Sequence, residues 1–214
     1  MAGLAHSAVR RRPDLQALRH APSEHPHWGE VPSVRGCSDE VLMARAQEGC
    51  GASFDALVAR HYGTVTNFAA RMTGRHDLAA EVAQHAFVTV YEQRGRYRPG
   101  SLFRPWLYCI ARRRCQALLR REQRSHCAEL EDADLLAGSV EPAHEAERRE
   151  AMSALVRGVR QLPERERAAV VLFHYVQCSY EEIAQVLGCS SGAARTAACR
   201  GRARLRRLLS EEGT

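Results

Sequence analysis

The sequence contains no lysine: all 31 of its basic residues are arginine, set against 25 acids for a formal net charge of +6. A guanidinium fork grips phosphate oxygens in pairs and stacks on bases, so an arginine-only excess favours a phosphate-bearing partner. Long hydrophobic runs are lacking too. No stretch approaches the ~18 apolar residues of a membrane span, and Arg10, Arg11 and Arg12 are not followed by the apolar core of a signal peptide. The expectation is a cytoplasmic protein without membrane insertion. Eight cysteines are present, at 37, 50, 109, 115, 127, 178, 189 and 199, but no CxxC pair and no common zinc spacing, so neither metal nor cofactor is expected. Most read as small buried hydrophobes. A Ser/His/Asp order, a metal box and a phosphate-cradling glycine loop are all missing, which argues against an enzyme.

Charge is unevenly spread along the chain. From 195 to 207 there are six arginines (Arg195, Arg200, Arg202, Arg204, Arg206 and Arg207) and no acid, whereas 125–150 holds eight acids against Arg148 and Arg149, a net of −6. The acidic stretch also carries Gly138, Ser139 and Pro142 with few large apolar residues, so it reads as a flexible linker. Residues 1–36, with His, Pro, Ser and Arg and little periodicity, read as a disordered N-terminal extension.

Elsewhere apolar residues recur at helical spacing. Ser38 is a candidate N-cap for a short helix that stops at Gly49. A second helix, about 53–73, sets Phe54, Leu57, Val58, His61, Tyr62, Val65, Phe68, Ala69 and Met72 at helical spacing and ends at Gly74. A third, about 77–93, is expected to bury Leu78, Val82, Ala86, Phe87, Val90 and Tyr91. After the loop RGRYRPGS, a fourth helix of about 101–124 carries Phe103, Leu107, Ile110, Ala117 and Leu118 on one stripe. Arg112, Arg113, Gln116, Arg120 and Arg124 share a different side.

A second helical unit begins near 151. Pro163 suits the first position of a helix over ERERAAVVLFHYVQ, and Ser179 with Glu182 forms a capping box for EEIAQVLG. Gly188 makes a turn, Ser190 caps a last helix, and Ala194, Ala198, Leu205, Leu208 and Leu209 line its inner face. Two short helices joined by a glycine turn match a helix-turn-helix. Its second helix starts with Ser190, Ser191 and Gly192, whose free N–H groups suit a phosphate, and presents Arg195, Thr196, Cys199 and Arg200 outward. The predicted fold is all-α: two small helical domains, 37–124 and 151–214, joined by the acidic linker 125–150.

Taken together, the stretch LPERERAAVVLFHYVQCSYEEIAQVLGCSSGAARTAACRGRARLRRLL resembles region 4 of bacterial RNA polymerase sigma factors. HDLAAEVAQHAFVTVYEQ followed by SLFRPWLYCIARRRCQALLRR resembles their region 2. The short layout is similar to the extracytoplasmic-function (ECF) group of the sigma-70 superfamily. The resemblance implies a promoter-specificity subunit that binds core RNA polymerase through its beta-prime clamp helices and beta flap, binds promoter DNA, and has an anti-sigma factor as regulator. It implies a docking surface at Glu81, Gln84, His85, Val88 and Glu92 on the third helix. It assigns −10 recognition and opening to Tyr97, Arg98, Arg104, Arg112, Arg113, Gln116, Arg120 and Arg124, with Phe103 and Trp106 expected in the core. The −35 element falls to Ser190, Ser191, Gly192, Arg195, Thr196, Cys199 and Arg200.

Some positions depart from the family pattern. His85 stands where the docking helix usually carries an acid, and Ala193, Ala194, Ala197 and Ala198 stand where larger side chains are usual, which predicts modest −35 readout. Gly201 costs about 1 kcal/mol of helix propensity. Two other functions fit the same residues: a stand-alone helix-turn-helix regulator, and a sigma-like decoy that only engages an anti-sigma factor.

Overall fold

The computed structural model describes residues 34, 36–126 and 153–212; the expected extension 1–36, apart from residues 34 and 36, and the expected linker from 127 on lie outside them. Every regular element among the described residues is helical. Helix α1 (Asp39–Gln47) starts where Ser38 Oγ accepts the Val41 N–H at 3.4 Å, with Asp39 and Glu40 at the positive end of its dipole. Helix α2 (Gly51–Thr73) buries Leu57, His61, Val65, Phe68 and Met72, and it ends because Gly74 takes φ 70°, a left-handed conformation that a Cβ would disfavour. Helix α3 (His76–Glu92) buries Ala79, Val82, Ala83, Ala86, Phe87 and Val90. One short 3₁₀ turn, Arg94–Arg96, leads toward α4 (Phe103–His126).

Residues 153–161 form α5, followed by α6 (Glu164–His174), α7 (Tyr180–Leu187) and α8 (Ser191–Glu212). The expected capping box is present at both of its hydrogen bonds: Glu182 N–H to Ser179 Oγ at 3.2 Å, and Ser179 N–H to Glu182 Oε2 at 2.8 Å. Gly188 adopts φ 63° between α7 and α8.

Helix α8 packs on α6 and α7, while α4 packs on α2 and α3. The two helical groups also meet, α2 against α6 and α4 against α7, and their buried side chains form one continuous apolar cluster. Both helical groups expected from the sequence are present, and their described residues pack against each other.

Positions on α4 and α8 differ from the periodicity. Ala117 is exposed, and Cys115, Tyr108 and Ala111 fill the inner stripe of α4 instead. Gly201 is buried, because a Cβ there would meet Val170 Cγ2 at 2.6 Å and the Glu166 carbonyl at 3.1 Å. Its helix-propensity cost is thus offset by close α6–α8 packing.

Candidate nucleic-acid interface

The exposed end of α8 is built by its cap. Ser190 Oγ accepts the Ala193 N–H at 3.2 Å, and the N–H groups of Ser191 and Gly192 have no intrahelical partner at a helix start. Ser190, Ser191, Gly192, Arg195, Thr196, Cys199 and Arg200 are all exposed. Ala194, Ala197 and Ala198 are buried, so these small residues serve the packing of α8 rather than standing vacant on its outer face. Ala193, the fourth alanine of the set, is half-buried.

The arginines of α8 are not equivalent. The guanidinium of Arg195 lies 5.0 Å from the ring centroid of Tyr180, and that of Arg202 lies 5.8 Å from Phe173. The two rings stack on each other, 5.0 Å apart and 13° from parallel. Arg202 Nη2 also donates to Cys199 Sγ at 3.2 Å. Arg204 pairs with Glu166 at 3.1 Å, which removes it from the open cationic series expected at 202–207, while Arg206 and Arg207 remain exposed. Sequence reading missed Phe173 and Tyr180; the available signal was that Arg195 and Arg202 lie two helical turns apart and so share a face.

On α4 the expected basic side divides in two. Arg113, Arg120 and Arg124 are exposed, as is Arg98 in the preceding loop. Arg112 turns toward α6, where Nε and Nη2 donate to the two carboxylate oxygens of Glu164 at 2.7 and 2.8 Å, and Nη1 donates to the Val186 carbonyl at 3.3 Å. Gln116 is half-buried beside the same Glu164. Burial alone would raise the Glu164 pKa, but the Arg112 hydrogen bonds and charge outweigh it and hold the carboxyl below its usual range. Arg104 donates to the Val176 carbonyl and Cys178 Sγ and stands 3.6 Å from Glu182. Arg104 and Arg112 are therefore engaged by α6, α7 and the loop between them, not open to solvent as the sequence reading implied.

Tyr97 is a second correction. Expected to touch a strand, it is only 5% exposed, packs on Trp106 at 5.3 Å and Phe103 at 6.4 Å, and donates its hydroxyl to the Ser101 carbonyl. Burial, with Glu40 and Asp39 nearby, pushes its phenol up to about 12. Phe103 is buried and Trp106 half-buried, as the sequence suggested. The loop itself is pinned by Gln47, whose Nε2 donates to the carbonyls of Arg94 and Tyr97 at 2.7 and 2.8 Å. Beside it lies a cavity of about 310 Å³ lined by Arg96, Arg98, Leu102, Trp106, Cys109 and, from α7, Gln185. Its lining sets the apolar Leu102, Trp106 and Cys109 beside the guanidinium-bearing Arg96 and Arg98.

On α3, Glu81, Gln84, His85 and Glu92 are exposed and Val88 is half-buried, forming one stripe down the helix. Glu81 pairs with Arg114 at 2.6 Å, and His85 Nδ1 lies 3.3 Å from Thr89 Oγ1. Partial burial and then the Arg114 charge lower the His85 pKa, keeping the ring neutral near pH 7. No cluster of metal-ligating side chains occurs among the described residues, and no helix among them is long and apolar enough to cross a membrane.

Comparisons with known proteins bear on both halves. Residues 57–125 match the family described as Sigma-70 region 2, and residues 152–205 match Sigma-70, region 4. Over 171 residues the chain is 36% identical to RNA polymerase sigma factor CarQ of Myxococcus xanthus, covering 79% of this chain and 96% of that one. It is 30% identical over 174 residues to the ECF RNA polymerase sigma-E factor of Escherichia coli, covering 77% and 91%. Its fold is similar to that of CnrH in complex with the cytosolic domain of CnrY, with a TM-score of 0.64 at 26% identity over 81% of this chain and 97% of that one.

Proposed function

The chain belongs to the extracytoplasmic-function group of the sigma-70 family of RNA polymerase sigma factors, and from that premise we propose how its residues divide the work. It binds core RNA polymerase and directs it to promoters. The stripe Glu81, Gln84, His85, Val88 and Glu92 on α3 docks on the clamp helices of the polymerase. Arg98, Arg113, Arg120 and Arg124 hold the phosphates of the opened −10 strand, and the cavity beside Trp106 takes an unstacked base, offsetting a few kcal/mol of unstacking energy. The start of α8 reads the −35 duplex through the major groove, each well-made base contact contributing about 1–3 kcal/mol. The chain supplies no catalytic group of its own, works in the cytoplasm, and is held in check by an anti-sigma factor.

The observation that carries the −35 assignment is the sorting of α8, with Arg195, Thr196 and Arg200 exposed and Ala194, Ala197, Ala198 and Gly201 buried. Run-off transcription with purified core polymerase is the test. Wild-type chain should yield a promoter-dependent transcript, and Arg195→Ala should reduce it while core binding persists. Core binding without any transcript would identify a decoy; duplex binding without core binding would identify a stand-alone regulator.

A further inference from the structure

The loop that leads into α4 takes its shape from α1. Gln47, the last residue of α1, donates both hydrogens of its amide nitrogen, one to the Arg94 carbonyl at 2.7 Å and one to the Tyr97 carbonyl at 2.8 Å, which ties the two ends of the 3₁₀ turn to one side chain. At the far end of the loop, Leu102 stands at the cap position of α4 and has no side-chain oxygen for the free N–H groups of the first turn. Glu40 supplies one from α1: its Oε1 accepts the Phe103 N–H at 3.3 Å, across 63 positions of chain. Glu40 and Gln47 are two helical turns apart and so share a face of α1. That helix is itself fixed to α2, where Asp39 pairs with His61 at 2.7 Å and with Arg60. Between the two ends, the Tyr97 hydroxyl donates to the Ser101 carbonyl and Gly100 takes φ 83°, leaving Arg98, Pro99 and Leu102 exposed at the apex. Arg96, Arg98 and Leu102 line the cavity beside Trp106.

We propose that Glu40 and Gln47 are positioning residues for strand capture: from α1 they clasp loop 94–102 in the shape that presents Arg98, Leu102 and the cavity to an unpaired base, and they touch no DNA themselves. The proposal rests on the assignment of this loop and cavity to the −10 strand made above. A loop clasped at both ends meets the strand already ordered, so little affinity is lost to ordering it on binding. Without the Gln47 donors, the Arg94 and Tyr97 carbonyls lose that partner and the loop samples other shapes. A loop that holds the capture shape about one-fifth of the time raises the apparent dissociation constant about fivefold. Several loop shapes also present several cavities, so discrimination between bases falls together with affinity. The choice of base is thereby set in part by a helix that the strand never meets.

The test uses holoenzyme assembled from the full chain and core polymerase, with a fluorescein-labelled fork taken from a mapped transcription start: duplex through the −35 element and single-stranded across the −10 element. Gln47→Met keeps the length of the side chain and removes its donors, whereas Gln47→Lys restores donors on a chain of similar reach. Gln47→Met should bind the fork at least about fivefold more weakly than wild type, with a smaller loss on a duplex that ends before the −10 element. It should also discriminate less between forks that differ in one unpaired base, and Gln47→Lys should recover most of both losses. Wild-type affinity and base preference in Gln47→Met, a Gln47→Lys as weak as Gln47→Met, or equal weakening on fork and duplex overturns the positioning role. Glu40→Met, which removes the acceptor of the Phe103 N–H, carries the same comparison if Gln47→Met does not assemble with core polymerase. Arg98→Ala separates this role from the reading beneath it. If Arg98→Ala leaves fork binding unchanged, the strand assignment of the loop fails and the positioning role with it; if it weakens the fork while Gln47→Met does not, the assignment stands and the positioning role alone fails.

Discussion

Arg195 in the first turns of α8 lies over the ring of Tyr180, which itself stacks on Phe173. A long arginine otherwise loses side-chain freedom when it binds, and a ring beneath it removes part of that cost beforehand. Tyr180→Ala should weaken binding to a promoter duplex by about 0.5–1 kcal/mol, or roughly two- to fivefold. Tyr180→Phe keeps the ring and should match wild type. Fluorescence anisotropy on a duplex taken from a mapped transcription start reads both, with circular dichroism to verify equal helix content.

Gly201→Ala separates propensity from packing. On an isolated helix the change would stabilise by about 1 kcal/mol. Here the added Cβ meets Val170 Cγ2 and the Glu166 carbonyl, so we expect a net loss of about 1–3 kcal/mol in urea unfolding. A gain in stability would mean that α6 and α8 move apart freely.

Asp39 anchors α1 to α2 through His61 at 2.7 Å and through Arg60. Burial raises its pKa, but the His61 hydrogen bond and charge, with Arg60, outweigh burial and hold it below the usual 3.8. A folded-state pKa that is depressed gives stability that is complete above 3.8 and lost as pH falls through the folded value. Asp39→Asn should cost about 1–3 kcal/mol at pH 7, and the gap to wild type should narrow below pH 3.8. Urea titrations at several pH values measure it.

His85 gives the proposed docking stripe on α3 a pH response. Its pKa lies below the ordinary 6.5, lowered first by burial and then by Arg114, so the ring is neutral at pH 7.5 and gains charge only as pH falls below 6.5 toward the folded value. If the α3 stripe docks on the polymerase as proposed, a positive charge there should change core-polymerase binding over that range. His85→Gln should flatten the profile; an unchanged pH dependence in that variant would separate His85 from the effect.

Much of the fold was legible in the sequence because its punctuation is local. Ser38, Gly74, Pro163, the Ser179 and Glu182 box and Gly188 each act within a turn of their own position, and each marks a helix boundary in the structure. The exposed set on α8 was legible for the same reason, since helical spacing fixes which residues share a face. What spacing does not carry is the identity of the element that covers a face. Arg104 and Arg112 fall on the polar side of α4 by count, yet partners 52 to 78 positions along the chain engage them. Tyr97 looked available because it sits in a polar loop, and only the packing of Phe103 and Trp106 around it reveals a buried ring. Gly201 looked like a weakness because its benefit comes from α6, distant in sequence.

Glu182 has two oxygens with two separate duties, Oε2 accepting from the Ser179 amide and Oε1 facing Arg104. A side chain one carbon shorter would fall short of both, and an apolar one would abandon both. Glutamine alone keeps that reach, so any other replacement that breaks the contact to α4 uncaps the first turn of α7 in the same step.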